Sequence, residues 1–417
     1  MPQNAAIPVR DSVIRQKRAV TGVVTLTHND APIAGQDVTV EQKKHAVLFG
    51  SGWGSTAIQH ANGELTGESL ALAEQRQARY VEIFNMATLP FYWGRFEPER
   101  GKPDTQRIMN TARWFRDQGC LCKGHPLCWH TLTAPWLLEM TPAEILKAQL
   151  ARIERDVTGF AGVIDTWDVI NEAVIMPVFD RYDNGITRLC KDMGRINLIR
   201  AVFEATRAAN PNATLLINDF DVSSAYDILV EGCLEAGIQF DVIGIQSHMH
   251  QGYWGVEKTE WVLANFERFG LPIHFTENTI VSGHIMPPEI VDLNDYQIPE
   301  WPTTPAGEER QAEEVVTHYK TLMAHPLVQA VTWWDFEDGL WLGAPSGLLR
   351  KDMRSKPAYE ALRGLIKGEW WLSPTRLTTD ASGQFSVTGF PGDYAVTIAG
   401  KTVPFTLSQP GEIAVSI

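Results

Sequence analysis

The sequence predicts an α/β fold: a closed (β/α)8 barrel, or TIM barrel, with a small accessory β-sandwich formed from the N- and C-terminal segments. Between about residues 45 and 370, eight short apolar runs alternate with helical patterns. Several of these runs are apolar throughout, as expected for strands buried on both faces. Eight such units are the number that closes into a barrel. Short alternating strands at both ends of the chain predict the sandwich.

The eight barrel strands are predicted from apolar runs flanked by turn residues. They are Ala46–Gly50, Tyr80–Phe84, Cys120–Trp129, Ile164–Ile170, Thr214–Ile217, Val242–Ile245, Ile273–Thr276 and Ala330–Trp334. Helical patterns lie between them. Thr141 and Glu144 form a capping box with Pro142 at the first helical position, which predicts the start of a helix. Apolar spacing predicts further helices at Leu189–Ala208 and Ser355–Leu365.

The two ends of the chain alternate apolar and polar residues. Val23–Thr27 and Val38–Val40, separated by a turn, predict an N-terminal β-hairpin, and residues 384–415 contain further short strands. Because isolated hairpins are marginally stable, we expect the two ends to pair into one sandwich. The predicted organisation is an N-terminal hairpin segment at 1–44, a catalytic barrel at 45–370 and a C-terminal strand module at 371–417.

Composition narrows the possible partners. The 417 residues include 36 Lys and Arg against 50 Asp and Glu, a formal net charge of −14. Such a chain repels phosphate backbones and anionic membranes, so we expect neither nucleic acid nor membrane as a partner. A neutral polysaccharide or oligosaccharide is compatible with this charge. The 14 Trp residues suit either a large core or a cleft in which indole rings stack on sugars. The composition does not indicate an oligomeric state.

Cysteines and the N-terminal residues bear on the compartment. The five Cys are irregularly spaced, and Cys120 and Cys122 lack zinc-site spacing, so we expect free buried thiols. The N-terminal residues contain no apolar segment typical of a signal peptide or a membrane span. The localisation is therefore unknown: secreted or periplasmic if a leader has been removed, and otherwise cytoplasmic.

Two glutamates follow predicted barrel strands where reacting groups of barrels lie. Glu172 follows the fourth strand and Glu277 the seventh. Either one alone is equally consistent with a salt bridge or a helix cap, but together they can face each other across the barrel mouth. Cleavage of a glycosidic bond usually uses such a pair, about 5–5.5 Å apart in retaining enzymes. We expect burial to raise the pKa of Glu172 and keep it protonated as the acid.

Other polar and aromatic residues at the strand ends are predicted to bind substrate. These candidates are Tyr92, His125, Trp129, His130, Asn171, Gln246, His248, Trp334 and Trp341. Three of the histidines near strand ends would also permit a zinc site, although none has helical ligand spacing, and core histidines bonded to backbone carbonyls are a further alternative. The Trp residues are candidate sugar platforms, with barrel packing as the alternative for Trp129 and Trp334.

Several segments in this order resemble glycoside hydrolase family 10, which consists mainly of retaining endo-1,4-β-xylanases. They are Gly124–His130, Trp167–Glu172, Asn218–Phe220, Gln246–His248, Trp334 and Lys356–Tyr359, within a similarity from about Phe49 to Leu365. The resemblance implies a (β/α)8 barrel with no cofactor. It also implies that Glu172 is the general acid/base and that Glu277 is the nucleophile. Asn171, His125, Trp129, Gln246, His248 and Trp334 match residues around the cleaved sugar.

Two departures make the chain an atypical member. The family usually has Glu-Asn-x-x-Lys after the second strand, where this chain, aligned on Trp93, has Thr88, Leu89 and Tyr92. The family usually has Glu-Leu-Asp at the nucleophile, where this chain has Glu277-Asn278-Thr279, and Thr279 brings no charge. The Pro-rich segment 281–304 is long enough to reshape the cleft.

Three hypotheses follow from the sequence. The first is a retaining β-glycosidase, with endo-1,4-β-xylanase as its activity. The second keeps this mechanism on another β-linked glycan or a glycoconjugate, as the altered residues after the second strand suggest. The third is a non-catalytic barrel that binds carbohydrate. The natural glycan and the choice between endo and exo action are left open.

Overall fold

A computed structural model describes residues 11–52 and 54–417, so the first ten residues of the predicted N-terminal segment lie outside it. The strands of the described residues are numbered in chain order. They are β1 Val20–His28, β2 Ala31–Pro32, β3 Asp37–His45, β4 Leu48–Ser51, β5 Met86–Pro90, β6 Leu121–His125, β7 Thr166–Asn171, β8 Thr214–Asp219, β9 Val242–Met249, β10 Ile273–Ile280, β11 Val328–Trp333, β12 Thr375–Thr378, β13 Gln384–Gly389, β14 Gly392–Ile398, β15 Lys401–Leu407 and β16 Gly411–Ser416.

The α-helices of the described residues are α1 Asp11–Arg18, α2 Ser55–Ala61, α3 Gly67–Ile83, α4 Trp93–Phe96, α5 Thr105–Asp117, α6 Pro142–Phe160, α7 Gly185–Met193, α8 Arg195–Ala209, α9 Ser224–Glu235, α10 Gly255–Glu267, α11 Pro305–Met323 and α12 Pro357–Gly364. Short 3-10 turns lie at Pro135–Glu139, Leu293–Asp295 and Trp341–Gly343, and a π turn at Leu365–Glu369 follows α12. Within these described ranges, no helix is long and apolar enough to cross a membrane.

Strands β4 to β11 close into a barrel of eight parallel strands, which confirms the predicted fold class. Helices lie between successive strands, and one large apolar core fills the space between the strands and the helices. Close packing within this wall requires glycine in one strand. A Cβ at Gly124 would lie 2.2 Å from the ring of Trp167 on the next strand. Because the strands are parallel, all their carboxyl ends meet at one rim.

The second barrel strand was predicted in the wrong place. Tyr80–Phe84 is the end of helix α3 and the residue after it, and the strand is Met86–Pro90. Tyr80 and Ile83 are buried in the core as helical residues. A short apolar run of this length has the same pattern in a buried strand and in the last turn of a buried helix, which explains the error.

The three predicted helices can be compared directly with the structure, and the one at Ser355–Leu365 is confirmed as α12. The helix at Pro142 is confirmed, with Thr141 and Glu144 forming both bonds of the capping box. The prediction of one helix at Leu189–Ala208 is wrong, because the chain forms two helices, α7 and α8, that meet at Gly194. Gly194 has a φ of 80°, a left-handed conformation that ends one helix before the next begins.

The accessory sandwich combines both ends of the chain. One sheet contains β13, β1 and β16, with β2 on the side, and the other has the order β12, β3, β14 and β15. The predicted pairing of β1 with β3 as a hairpin is wrong, because these strands lie in opposite sheets. Strand β1 instead pairs antiparallel with β13 and parallel with β16. Side chains from both sheets, including Leu26 and Val396, form a separate core.

Helix α1 joins this region to the barrel. The Arg18 guanidinium donates to the backbone carbonyls of Met323 (3.0 Å) and Val328 (2.6 Å), and it also bonds the carbonyl of His325. These carbonyls lie at and beyond the C-terminal end of α11, where they have no helical partner. A positive charge there also suits the helix dipole. The N-terminal segment is therefore attached to the barrel as well as to the C-terminal strands.

A core substitution tests whether the sandwich is integral to the fold. Leu26→Ala removes a fully buried side chain from the sandwich core, so we expect it to lower the free energy of unfolding of this region by about 2–5 kcal/mol. The exposed Ser416→Ala on the neighbouring strand β16 is the control. Urea unfolding followed by circular dichroism measures both variants. Identical midpoints for Leu26→Ala and wild type would show that this core contributes nothing.

Candidate active site

The two glutamates lie on the same rim of the barrel. Glu172 directly follows β7, and Glu277 lies near the carboxyl end of β10. The charge of Glu277 acts on Glu172, which places the two carboxylates in electrostatic reach of each other. The side chain of Glu172 is 14% exposed and that of Glu277 is 6% exposed. Both side chains are therefore mostly buried, and each keeps a small exposed area at the mouth of the barrel.

Amide side chains from three successive strands connect the two carboxylates. The Asn218 amide nitrogen donates to Asn171 Oδ1 (2.8 Å) and to Glu277 Oε1 (3.2 Å). The Gln246 amide nitrogen donates to the same Asn171 oxygen (3.1 Å) and approaches Glu172 Oε1 at 3.5 Å. Asn171 donates in turn to Glu172 Oε1 (3.2 Å). This network holds both acidic side chains relative to the strands that carry them.

Burial dominates the electrostatics of Glu172. Loss of solvent raises the pKa of Glu172 to about 8, and the charges of Asp219 and Glu277 act in the same direction. A hydrogen bond from Trp129 Nε1 to Oε2 (2.8 Å) opposes the shift without cancelling it. The sequence-based expectation of a raised pKa thus agrees with the structure, and Glu172 is mostly protonated at neutral pH.

Glu172 also has an unusual backbone conformation. Its φ is 57°, in the left-handed region that residues other than glycine seldom adopt. Its backbone N–H donates to the carbonyl of Asn218 (2.8 Å), which ties this conformation to the neighbouring strand. Such conformations cluster at functional sites, where the surrounding structure maintains them.

Nitrogen groups from three other strands surround Glu277. His248 Nε2 lies 3.1 Å from Oε2, and Asn218 donates to Oε1. His125 Nε2 lies 3.8 Å from the same Oε1. With nitrogen groups around both oxygens, the direction of the carboxylate is fixed.

A buried charged pair supports His125. Its Nδ1 lies 2.7 Å from Asp168 Oδ2, and Lys123 Nζ is also 2.7 Å from that oxygen. Burial alone would raise the pKa of Asp168, but Lys123 and His125 outweigh it and hold the pKa below its usual range. Asp168 is therefore ionised, and as an acceptor it directs the Nδ1 proton of His125 toward itself and the opposite nitrogen toward Glu277.

Thr279 lies between two histidines. Its Oγ1 is 3.3 Å from Nδ1 of His248 and 3.3 Å from Nδ1 of His250. His250 is fully buried, and burial followed by the nearby His248 lowers its pKa to about 3. His250 is thus neutral, and the group behind His248 is a hydroxyl bonded to a neutral ring.

Aromatic rings surround the polar groups. Tyr92 lies beside His125 and Trp129, with ring centroids 5.6 Å away in both cases. Trp334 lies 5.3 Å from His125, and the Trp341 ring is 4.4 Å from that of His248. Trp129, Trp334 and Trp341 are only partly buried, so their rings contribute to the cleft wall.

The structure brings all the predicted site residues together at this rim, some of them partly exposed and the others buried. Glu172, His248 and the three tryptophans keep some exposed surface. His125, His130, Asn171 and Gln246 are buried beneath them. His130 packs against the ring of Phe179, with centroids 4.4 Å apart, and approaches Glu172 Oε2 at 3.8 Å through Nε2. Burial lowers the pKa of His130 to about 4, so its ring is neutral.

The prediction omitted residues that act behind the strand ends. Asn218 and Asp219 are polar residues at the end of an apolar strand, as Asn171 is. The same pattern that led to Asn171 could therefore have predicted them. Burial raises the pKa of Asp219 to about 7, although backbone N–H groups of Asp221 and Val174 oppose the shift. Lys123 and His250 had no sequence signal of their own, because their roles depend on partners distant in the chain.

The alternative zinc interpretation gains no support from the histidine geometry. The ring nitrogens of His125 and His248 lie against carboxylate and hydroxyl oxygens. Across residues 11–52 and 54–417, no three His, Cys, Asp or Glu side chains are grouped to hold a metal ion. All five cysteines are buried and free.

The segment 281–304 forms a strap over one side of the mouth. Its own core includes Met286 and Trp301, which pack with Ala344 of the loop after β11. Arg181, in the loop after β7, bonds Asp292 and pairs with Asp295 of the strap (2.9 Å). The strap is the loop that follows the Glu277-bearing strand β10, and these contacts join it to the loop that follows the Glu172-bearing strand β7.

Comparison with known proteins finds relatives that are named as endo-1,4-β-xylanases. An endo-1,4-β-xylanase B from Thermotoga neapolitana is 25% identical over 313 residues, covering 69% of this chain and 84% of that protein. An endo-1,4-β-xylanase/feruloyl esterase from Xylanibacter ruminicola is 25% identical over 295 residues, or 62% of this chain. The matched region is 39% of that larger relative, well under half of its length.

Solved structures share the fold. The native xylanase 10B from Thermotoga maritima matches with a TM-score of 0.61 and 21% identity, covering 77% of this chain and 95% of that chain. The xylanase 10B from Thermotoga petrophila RKU-1 in complex with xylobiose matches with a TM-score of 0.62 and 21% identity, covering 77% and 94%. A model of glycosyl hydrolase family 10 matches residues 55–364, from the first barrel helix to the last. Because this match spans most of the chain, the protein belongs to glycosyl hydrolase family 10 and is a glycoside hydrolase.

Proposed function

We propose that the protein hydrolyses β-glycosidic bonds with retention of configuration, with Glu172 as general acid/base and Glu277 as nucleophile. The observation that carries this proposal is the asymmetry of the two carboxyl groups. Burial keeps Glu172 protonated near neutral pH, while donors surround both oxygens of Glu277. Paired carboxyl groups with separate acid and nucleophile roles are what double displacement requires.

The first step forms a covalent intermediate. A Glu277 oxygen attacks the anomeric carbon while Glu172 transfers its proton to the glycosidic oxygen, and the bond to the leaving sugar breaks. The charge on Glu277 is consumed in the new ester bond. Glu172 is then an anion, which its hydrogen bonds from Trp129 and Asn171 stabilise.

The second step releases the sugar. Glu172 accepts a proton from water, the water oxygen attacks the anomeric carbon, and the bond to Glu277 breaks. Both carboxyl groups return to their starting states. Asn171, held by Asn218 and Gln246, is placed beside Glu172, where its amide can also donate to the sugar 2-hydroxyl as charge develops.

For the substrate, we propose a β-1,4-xylan or a xylo-oligosaccharide cleaved in endo fashion. The named relatives above are endo-1,4-β-xylanases, and the barrel site preserves the residues that the sequence resemblance places around the cleaved sugar. The tryptophans of the mouth suit the apolar face of a pyranose.

A second candidate keeps the mechanism and changes the glycan. Thr88 and Leu89 are fully buried, and Leu89 packs in the main core rather than in the cleft. Tyr92 is 8% exposed, against the rings of His125 and Trp129. The position next to the cleaved sugar thus lacks the charged groups that the family usually has there. This favours a β-linked glycan or glycoconjugate recognised through apolar contact.

Leaving-group dependence tests the assigned roles. Glu277→Gln removes the nucleophile, so we expect it to abolish turnover of every substrate. Glu172→Gln removes the acid, so we expect a loss of about 10²-fold to 10⁴-fold on substrates with poor leaving groups and a smaller loss on nitrophenyl glycosides. Steady-state kinetics on both substrate types measures this. Azide should rescue Glu172→Ala to a β-azide; an α product would contradict retention.

The pKa of Glu172 predicts the alkaline side of the pH profile. An acid whose pKa is about 8 is protonated below that pH and loses its proton as the pH rises through it. We therefore expect kcat/KM for a poor leaving group to fall above about pH 8, with no such fall for an activated leaving group that needs no protonation. If the alkaline limb is the same for both substrates, Glu172 is not the group that causes it.

A substrate panel distinguishes the two glycan candidates. The protein is incubated with xylan, an aryl β-xyloside and an aryl β-cellobioside, beside Glu277→Gln as the inactive control. Release of xylo-oligosaccharides from xylan supports the first candidate, and turnover of aryl glycosides without xylan cleavage supports the second. Binding without turnover of any of them contradicts both.

A further inference from the structure

We propose that His250 is a positioning residue for the nucleophile: through Thr279 it fixes His248 as the tautomer that donates its Nε2 proton to Glu277. This inference rests on the proposed function, since it assigns His248 a duty toward the attacking carboxylate. Neither the catalytic scheme above nor the resemblance to the family assigns His250 a role.

The contacts form one continuous chain. His250 Nδ1 lies 3.3 Å from Thr279 Oγ1, and that oxygen lies 3.3 Å from His248 Nδ1. His248 Nε2 then lies 3.1 Å from Glu277 Oε2. Thr279 has a single hydroxyl proton, so it donates to one histidine and accepts from the other. The histidine toward which this proton points determines which ring nitrogens of His248 and His250 are protonated.

The carboxylate sets one end of the chain. An ionised Glu277 only accepts hydrogen bonds, so Nε2 of His248 carries a proton and donates it. If His248 is neutral, its Nδ1 is an acceptor and takes the proton of Thr279. The Thr279 oxygen then accepts from Nδ1–H of His250, and every contact in the chain is satisfied.

The surroundings of His250 disfavour the reverse direction of the hydrogen bonds. If His248 carried both protons, it would donate to Thr279, which would donate to Nδ1 of His250 and leave the His250 proton on Nε2. His250 is fully buried, and its Nε2 has no hydrogen-bond partner in the described part of the chain. The rings of Trp301 and Trp341 pack around it. A buried N–H without an acceptor is less stable than a bare ring nitrogen in the same place.

The chain therefore supplies a donor to the nucleophile without a positive charge beside it. His250 does this from outside the cleft, because its ring is buried behind that of Trp341. In this arrangement His250 carries its proton on Nδ1. His248 is held in the opposite tautomer, Nε2–H, because the two rings meet the same hydroxyl with opposite hydrogen-bonding roles.

Nuclear magnetic resonance of the full-length protein labelled with 15N-histidine tests the tautomers. We expect His250 to carry its proton on Nδ1 and His248 on Nε2, with the resonances assigned by His250→Phe and His248→Phe. A proton on Nε2 of His250 in the wild-type protein would overturn the proposal. Because the tautomers are read in the wild-type enzyme and the variants serve only to assign resonances, the result does not depend on the activity of either variant.

Kinetics tests the consequence. His250→Phe removes the donor and keeps a ring, so we expect kcat on an activated aryl β-glycoside to fall about fivefold to tenfold, the equivalent of one neutral hydrogen bond, with little change in KM. His250→Asn places an amide N–H near the position of Nδ1 and should restore most of kcat. His60→Phe, on α2 beside Trp114, is the control for replacing a histidine ring that is not in the chain of contacts to Glu277.

The outcomes separate this inference from the proposed function. Wild-type kcat in His250→Phe, with an unchanged His248 resonance, contradicts the inference while Glu277→Gln remains inactive. Activity retained by Glu277→Gln contradicts the proposed function itself. Equal losses in His250→Phe and His250→Asn also contradict the inference, because a donor at Nδ1 would then make no difference.

Discussion

The amide network of Asn171, Asn218 and Gln246 is the constraint on which the site depends. Each of these side chains lies at the carboxyl end of its own strand, and each bonds to another member or to a glutamate. Amides carry no charge, so they fix the two carboxyl groups without changing the balance of charge between them. The different burial and partners of Glu172 and Glu277 then give the two groups different chemistry.

Two buried supports act behind that network, and they differ in charge. Behind His125, the Asp168–Lys123 pair is ionic and lies inside the barrel. Behind His248, Thr279 and His250 are neutral. Glu277 thus meets one histidine oriented by a charged group and one oriented by an uncharged chain of hydrogen bonds. This difference arises from Thr279 on β10 and from His250, the residue that follows β9.

The fold and most of the site could be predicted from the sequence because both depend on local pattern. The pattern of an apolar strand followed by polar residues was sufficient to find Glu172, Glu277 and their neighbours in the sequence. The misplaced second strand shows the limit of this approach: Tyr80 and Ile83 have the burial of a strand but the hydrogen bonding of a helix. The pairing of β1 with β13 and β16 could not be predicted, because strands so far apart in the sequence share no local pattern. The role of His250 was hidden for the same reason, since it exists only through Thr279.

The sandwich built from both chain ends has a consequence for synthesis. Strand β1 pairs with β13, where Thr21 meets Thr388 across a separation of 367 residues, and with β16, still nearer the C-terminus. On the ribosome, the emerging β1 must wait until the whole barrel has been translated before its sheet can form. Its alternating apolar residues stay without their partners during that interval, so a nascent chain is more exposed to aggregation or chaperone binding at this end than at any barrel strand with a sequential neighbour.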